Sequence, residues 1–449
     1  MSIEQPTEPE LKKILIITSS GGGGLLQTAK AKEQEVLVKH PNIEIVRKDL
    51  LRDWIWGPFG RYCINSWNQA QMKGNVSVQA FYVWGQFITD IFLHPVIFFY
   101  ALYTFFKEDI DAVIDTQPLC TSAIVKALRI YNRKRKKQVK LEKVLVDMPT
   151  KKATHFFRPI RKLSKKNRKL IKLTTIAPLL ENGESAEEFW QKTCKLSEKE
   201  INLEDVYVRQ AFLLFKGKGK PLSSMKISVR YKNAEEIRLM RKSYEKGGIR
   251  AKVKPGEVDF TIDPSDKMIT VLLGSQPASE ATFRYAKKFA ALAKEFPKTK
   301  THIFVFCADH KEGEETLFRK CAEIASRMKN YPKNLSIIPF SFQDEQVIAP
   351  LFYRSNINCT RSGGQTAMEL MCVSTGEMWI HSEAKKGQEL LHGIPGWEAA
   401  SAVYLQKLRG AKVVTPDTIG DLTRSLYRTD NGRTLHTNQS LDRAVASTG

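Results

Sequence analysis

The nine residues from Arg361 to Glu369, RSGGQTAME, have the types and spacing from which a phosphate site can be built. Ile357-Asn358-Cys359-Thr360 reads as the end of a short strand and Ala367 to Cys372 as a helix, with Gly363 and Gly364 at the turn between them. Such a turn can aim backbone N–H groups at a phosphate, and the positive end of the helix dipole adds to the attraction. Arg361 contributes a forked, permanent positive charge. Glu369 falls in the first turn of the helix, within reach of a ribose hydroxyl. A carboxylate on a sugar diol beside a phosphate-cradling turn is the logic of nucleotide binding. Any strand–turn–helix with a glycine pair shares these features, so the turn alone is a weak signal.

The turn needs a strand before it, in a parallel sheet whose carboxyl ends converge on one crevice. The chain supplies such strands. KKILIIT at 12–18 is followed by SSGGGG and a helical stretch from Leu25 to about Lys39, the opening of an α/β domain. No Gly-Lys-Ser/Thr follows these glycines, which excludes a Walker A loop, and the dinucleotide G-x-G-x-x-G frame with its acidic clamp is absent. NIEIVRKD at 42–49, IDAVID at 110–115 and KVLV at 143–146 read as further strands. A second series begins with MITVLL at 268–273, then Gly274-Ser275-Gln276 and a helix over about 278–296. HIFVFC at 302–307, Leu335 to Pro339 and Glu377 to His381 continue it.

Arg-Ser-Gly-x-x-Thr-x-x-Glu resembles the donor-nucleotide motif of the GT-B glycosyltransferases. Within them the likeness is to the peptidoglycan N-acetylglucosaminyltransferases and the monogalactosyldiacylglycerol synthases. It covers roughly residues 268–415, and residues 12–160 more loosely. The resemblance implies an α/β chain of two Rossmann-like domains facing a cleft, with an inserted α+β segment. It implies a diphosphate held by Gly363, Gly364, Gln365 and Thr366, flanked by Arg361 and Ser362, and a ribose held by Glu369. Ser275 and Gln276 would line the phosphate and sugar pocket, Phe342 and Gln343 would lie beside the base, and Glu398 would accept from sugar hydroxyls. The loop with Gly22, Gly23 and Gly24 would face the acceptor and the donor phosphates. Many family members follow that loop with His; Leu25 stands here, which weakens a proton-transfer role for it.

Asp147-Met148-Pro149-Thr150, with His155 downstream, resembles the strand-end loop of the galactolipid synthases that lies by the acceptor. Transfer to a hydroxyl needs a base to take the proton. Asp147 is the candidate base, and His155 its helper or a phosphate contact. The bland alternatives are a turn cap for Asp147 and a solvated loop histidine for His155.

The 449-residue length predicts two or three domains, placed at 1–178, 179–264 and 265–430, with a polar tail at 431–449. Segment 179–264 reads as an insertion without identifiable chemistry. Seven scattered cysteines, with no C-x-x-C pair, point to a reducing compartment. Met1 to Glu10 does not read as a secretory signal. The net charge of +23 predicts an anionic partner. Lys126 to Lys172 concentrates nineteen Lys/Arg against two acids, yet no RRM, KH or helix-turn-helix pattern accompanies it, so nucleic acid is not the expected partner. Ala80 to Phe106 is dense in aromatics. It reads either as two core helices under a sheet or as a monotopic element on a bilayer; no run of about 20 uninterrupted apolar residues predicts a span.

The expected function is transfer of a sugar from a UDP- or GDP-linked donor to a lipid or protein acceptor. No cofactor is expected. No Asp-x-Asp metal clamp is apparent, so no metal is expected either. The expected place is the cytoplasm, with attachment to an anionic membrane surface, or delivery to a host cell, left open. A sugar-nucleotide epimerase and a non-enzymatic nucleotide-binding module are the alternatives.

Overall fold

A computed structural model describes residues 11–428; Met1–Glu10 and the tail at 431–449 lie outside the described residues. Six strands form a first parallel sheet: β1 (Lys13–Thr18), β2 (Glu44–Asp49), β3 (Ala112–Asp115), β4 (Leu141–Val144), β5 (Ile171–Thr175) and β6 (Ile201–Leu203), in the order β2-β1-β3-β4-β5-β6. A small antiparallel sheet follows, with β7 (Met225–Arg230), β8 (Arg250–Lys254) and β9 (Glu257–Ile262) in the order β7-β9-β8. The second parallel sheet holds β10 (Lys267–Leu272), β11 (Thr301–Phe306), β12 (Leu335–Phe340), β13 (Ile357–Thr360), β14 (Glu377–His381) and β15 (Lys412–Val414). Its order, β12-β11-β10-β13-β14-β15, is the 3-2-1-4-5-6 order of the Rossmann fold. The chain is thus a two-domain α/β protein of GT-B architecture.

Every residue of β10, β11, β12 and β13 is buried. Helices cover both faces of a parallel sheet, which is why these strands are nearly continuous apolar runs. Within the first sheet Lys143 and Asp115 form a fully buried pair at 2.7 Å. Lys143 also reaches Thr121 Oγ1 at 3.0 Å and the Gln117 carbonyl. A buried charge this well bonded pins the loop after β3 to β4.

Three expectations need correction. First, segment 179–264 is not a single insertion. Its early part completes the first sheet through β6 and packs the helix Ala186–Cys194 on it, with Phe189 and Trp190 edge-on to Phe157. Ile201-Asn202-Leu203 is too short to show strand periodicity. Only its later part forms the separate antiparallel sheet.

Second, Ala80–Phe106 belongs to one helix, Val76–Glu108, of 33 residues. It is not a core element: only 17% of its most apolar 18-residue window is buried. Phe81, Trp84, Phe92, Phe99 and Tyr103 are each more than 60% exposed. Third, the chain does hold one Asp-x-Asp, Asp109-Ile110-Asp111. It lies before β3, at the edge opposite the strand ends, and both carboxylates pair with Arg135.

Candidate active site

Ligands of parallel sheets sit at the carboxyl ends of the strands, where the strand order reverses. In the second sheet the reversal falls between β10 and β13, so the loops carrying Gly274-Ser275-Gln276 and the RSGG turn flank it. In the first sheet it falls between β1 and β3, flanked by the glycine loop and by Gln117-Pro118-Leu119. These four loops, together with Asp147 and His155 after β4, line one continuous cavity of about 360 Å³ between the domains. That is the size of a small-molecule site.

The helix Gly364–Val373 starts at Gly363 without a side-chain cap. Its first turn therefore leaves N–H groups without intrahelical acceptors. The first bond into it is Ala367 N–H to the Gly363 carbonyl, 3.0 Å. Among the described residues no backbone carbonyl takes the N–H of Gly364, Gln365 or Thr366, and all three residues line the cavity with Gly363. Gly364 must be glycine: a Cβ there would sit 1.9 Å from the Val146 carbonyl oxygen and 2.6 Å from Asp147 Cα. The phosphate-type turn of one domain thus lies against the loop that carries the candidate base of the other. At Gly363 a Cβ would meet nothing within 4 Å.

Glu369 lines the cavity and is already engaged. Arg209 grips it in fork geometry, with Nε–Oε1 at 2.8 Å and Nη2–Oε2 at 3.0 Å. Arg209 is itself buried and lies 3.6 Å from Glu345. Gln365 donates from Nε2 to Glu369 at 3.2 Å and accepts from Thr28 Oγ1 at 2.7 Å. Arg361 donates from Nη2 to Gln79 Oε1 at 3.0 Å, and its Nε lies 3.6 Å from Glu398 Oε2. Ser362 does not line the cavity; its hydroxyl donates to the Glu398 carbonyl at 2.7 Å and fixes the start of the helix Gly396–Arg409.

Ser275, Gln276, Phe342 and Gln343 line the cavity. Phe342 is 39% exposed and stands edge-on to Phe306 at 5.1 Å, so it is not plain core. Gln343 has its side chain committed elsewhere: it bonds the backbone N–H and carbonyl of Arg230 at 3.0 and 2.6 Å. The glycine loop is similarly committed. Gly21 N–H donates to Ser19 Oγ at 3.2 Å, Gly22 N–H to the Ser20 carbonyl at 3.0 Å, and Gly23 N–H to Ser275 Oγ at 3.2 Å. Gly22, Gly23 and Gly24 line the cavity, but the N–H groups of Gly22 and Gly23 are not free to nest a phosphate.

On the acceptor side His155 Nε2 lies 2.7 Å from Asp147 Oδ2. Neither residue is a solvated loop group, since their side chains are 8% and 13% exposed. The imidazole stands edge-on to Trp397 at 5.7 Å, and Gln86 Nε2 donates to the carbonyls of both His155 and Pro118 at 3.0 Å. Burial pushes the Glu398 carboxyl above the usual range, with Arg361 opposing and Asp147 adding to the shift.

Five buried polar atoms without a hydrogen-bond partner belong to residues lining this one cavity: Gln27 Oε1, Trp67 Nε1, Gln71 Oε1, His155 Nδ1 and Glu398 Oε2. Buried polar groups are nearly always satisfied, so these five are left for ordered water or a ligand in the cavity to meet. Gln27, Trp67, Gln71, Arg209 and Trp397 are not legible as site residues in the sequence. The one available signal is Arg209 closing the apolar run Val206-Tyr207-Val208.

No family model matches the chain, and no curated protein matches it. Solved structures do. MurG of Acinetobacter baumannii is 14% identical, with 93% of this chain and 91% of that one covered and a TM-score of 0.42. The glycotransferase of kitacinnamycin is 10% identical, with 94% and 91% covered and a TM-score of 0.49. A putative UDP-N-acetylglucosamine 2-epimerase from Listeria monocytogenes is 10% identical, with 94% and 89% covered and a TM-score of 0.42. The chain is thus similar to glycosyltransferases and to an epimerase along nearly its whole length, and its fold rests on its own two strand orders.

Proposed function

We propose that this chain is a glycosyltransferase, moving a sugar from a nucleoside-diphosphate donor to a hydroxyl. One observation carries the reading. Gly364, Gln365 and Thr366, whose N–H groups have no backbone acceptor, and the Asp147–His155 pair line the same cavity from opposite domains.

In this reading the diphosphate rests on those N–H groups beside Arg361, and the ribose diol bonds Glu369. Phe342 offers an exposed ring to the base, and Glu398 faces the sugar. The acceptor oxygen attacks the anomeric carbon and forms the new C–O bond. The bond from that carbon to the phosphate oxygen breaks, and the nucleoside diphosphate leaves with the electron pair. The acceptor proton passes to Asp147, which His155 orients. Positive charge already aimed at the leaving group lowers the barrier without reorganisation. UDP- or GDP-linked donors fit this reading, as does a lipid acceptor at the cytoplasmic face of a membrane.

A ligand bound only to the native state raises its melting temperature. The test is a thermal-shift panel of UDP, GDP, dTDP and ADP sugars, followed by assay of nucleoside diphosphate release with and without acceptor. Release that depends on an acceptor is the expected result. Acceptor-free release of nucleotide would mark an epimerase, and a shift without turnover a binding module. Absence of any shift would overturn the reading.

A further inference from the structure

A second pocket, of about 580 Å³, opens at the carboxyl ends of β14 and β15 and shares no lining residue with the first cavity. Four segments build it. They are the turn Met72–Lys73 of the first domain, the first turn of the helix Ser279–Ala293 with Arg284, the stretch from His381 to Lys386, and Thr415-Pro416-Asp417 after β15. The pocket therefore lies on the seam between the domains. The seam is tight there: a Cβ on Gly74, next in the chain after Lys73, would collide with the Glu383 carboxylate.

One feature of the pocket suits an anion. The helix Ser279–Ala293 starts at Ala278 without a side-chain cap. The Thr282 N–H donates to the Ala278 carbonyl at 2.9 Å, and among the described residues no backbone carbonyl takes the N–H of Ser279, Glu280 or Ala281. Such N–H groups and the positive end of the helix dipole favour negative charge. Lys73, Lys385 and Lys386 line the same pocket, and among the described residues none of the three is in an ion pair. Arg284, by contrast, is spent on Asp417, whose two carboxylate oxygens lie 2.6 and 2.7 Å from Nη2.

A separate feature asks for a hydrogen-bond donor. His381, the last residue of β14, lines the pocket, is 4% exposed, and has no hydrogen-bond partner at Nε2. Glu383 Oε1 stands 3.0 Å from that nitrogen, without hydrogen-bond geometry. On the other side of the ring Nδ1 lies 3.1 Å from the Tyr285 hydroxyl, which donates to the Val414 carbonyl at 3.1 Å. A hydroxyl has one proton, so Tyr285 accepts from the Nδ1–H. Burial lowers the His381 pKa against the pull of Glu383. A neutral ring with its proton on Nδ1 leaves a lone pair at Nε2, beside a carboxylate that is also an acceptor. A ligand hydroxyl satisfies both; an ammonium group would meet the three lysines.

We infer that this pocket binds a phosphorylated sugar, its phosphate on the helix start and Lys73 and its hydroxyls on His381 and Glu383. A bare anion fits less well, because Glu280 and Glu383 line the pocket as well and leave the three lysines an excess of one. Lys73 comes from the first domain and the helix from the second, so the bound ligand ties the seam. The site does not depend on the glycosyl-transfer reading.

The test is calorimetric titration of the full chain with glucose, mannose and fructose 6-phosphates, and with inorganic phosphate and free glucose for comparison. At least one hexose phosphate should bind at one per chain, with inorganic phosphate about tenfold weaker and glucose silent. Lys73→Glu and Lys385→Glu, both at exposed positions, should each weaken the hexose phosphate about tenfold. Glu383→Gln should weaken the hexose phosphate and spare inorganic phosphate. Hydrogen exchange should slow on binding at 72–75, 278–282 and 381–386, and excess UDP should leave the titration unchanged.

Silence from all three hexose phosphates, equal affinity for inorganic phosphate, indifference to both lysine variants, or displacement by UDP would each overturn the inference. Displacement by UDP would move the sugar phosphate to the first cavity and leave the transfer reading standing. Binding that needs Lys73 in a chain without any nucleotide thermal shift would support this site and sink the transfer reading.

Discussion

Glu369→Gln tests the donor site and the stability of the fold together, and the structure sets how large each effect should be. The substitution keeps the side-chain volume and removes the charge that faces Arg209 at 2.8 and 3.0 Å. Breaking a buried ion pair by neutralising one partner costs about 3–5 kcal/mol, because the other charge stays buried. Arg209 keeps Glu345 at 3.6 Å, so the low end applies, about 3 kcal/mol. For a domain of this size that corresponds to a fall in Tm of roughly 6–12 °C.

The double variant Arg209→Met, Glu369→Leu removes both charges, and such replacements are commonly neutral or stabilising by about 1–4 kcal/mol. It should therefore melt near or above the wild type. A nucleotide sugar at 100 times its Kd stabilises the native state by about 2.7 kcal/mol. The wild type should show that rise, and neither variant should. Differential scanning fluorimetry of the three proteins, each with and without the nucleotide, reads all six melting temperatures. A Glu369→Gln protein that melts with the wild type would refute the buried pair, and a double variant that still answers nucleotide would remove Glu369 from the site.

Gly364→Ala should destabilise the protein by about 1–3 kcal/mol and weaken nucleotide binding, since its methyl would press on backbone of the other domain; Gly363→Ala, with open space around it, should change Tm by less than about 1 kcal/mol equivalent. Equal melting and equal affinity of the two would refute the close approach. Asp147→Asn should lower acceptor-dependent release about 10²–10⁴-fold while leaving the nucleotide thermal shift in place; an unchanged rate excludes Asp147 as the base. For Glu398, whose folded-state pKa lies above its unfolded value, the contribution to stability is fully present below about pH 4.3 and is lost as pH rises through the folded pKa. Urea unfolding should accordingly show Glu398→Gln gaining stability relative to the wild type between pH 4 and 8, and a flat difference would contradict the burial.

The donor half of the site was readable because it is local. Nine consecutive residues, Arg361 to Glu369, contain the strand end, the turn, the helix start and the acid, and no long-range contact is needed to recognise them. Most strands of both parallel sheets were readable as well, the buried ones because doubly covered strands are short unbroken apolar runs; β5, β6 and β15 were not. What escaped depends on contacts between distant segments. Arg209 becomes part of the site through a carboxylate 160 residues away. Trp67 and Gln71 matter through the side of a helix that faces the glycine loop. Ser362 and Gln343 look free in sequence, but the fold commits their side chains to backbone groups of other elements. The long helix was misread because its period serves two apolar environments at once, a narrow buried stripe and a broad exposed face.

That helix also explains why the two halves of the site need each other. Gln79 and Gln86 are seven residues apart, two turns or about 10 Å along one face. Gln79 receives the Arg361 guanidinium of the donor motif at 3.0 Å, and Gln86 holds the backbone of His155 at 3.0 Å. One rigid element of the first domain therefore touches the donor turn of the second and the candidate base of its own. Its opposite face is the apolar surface. A shift of the helix along its axis would move Arg361 and His155 together rather than one against the other.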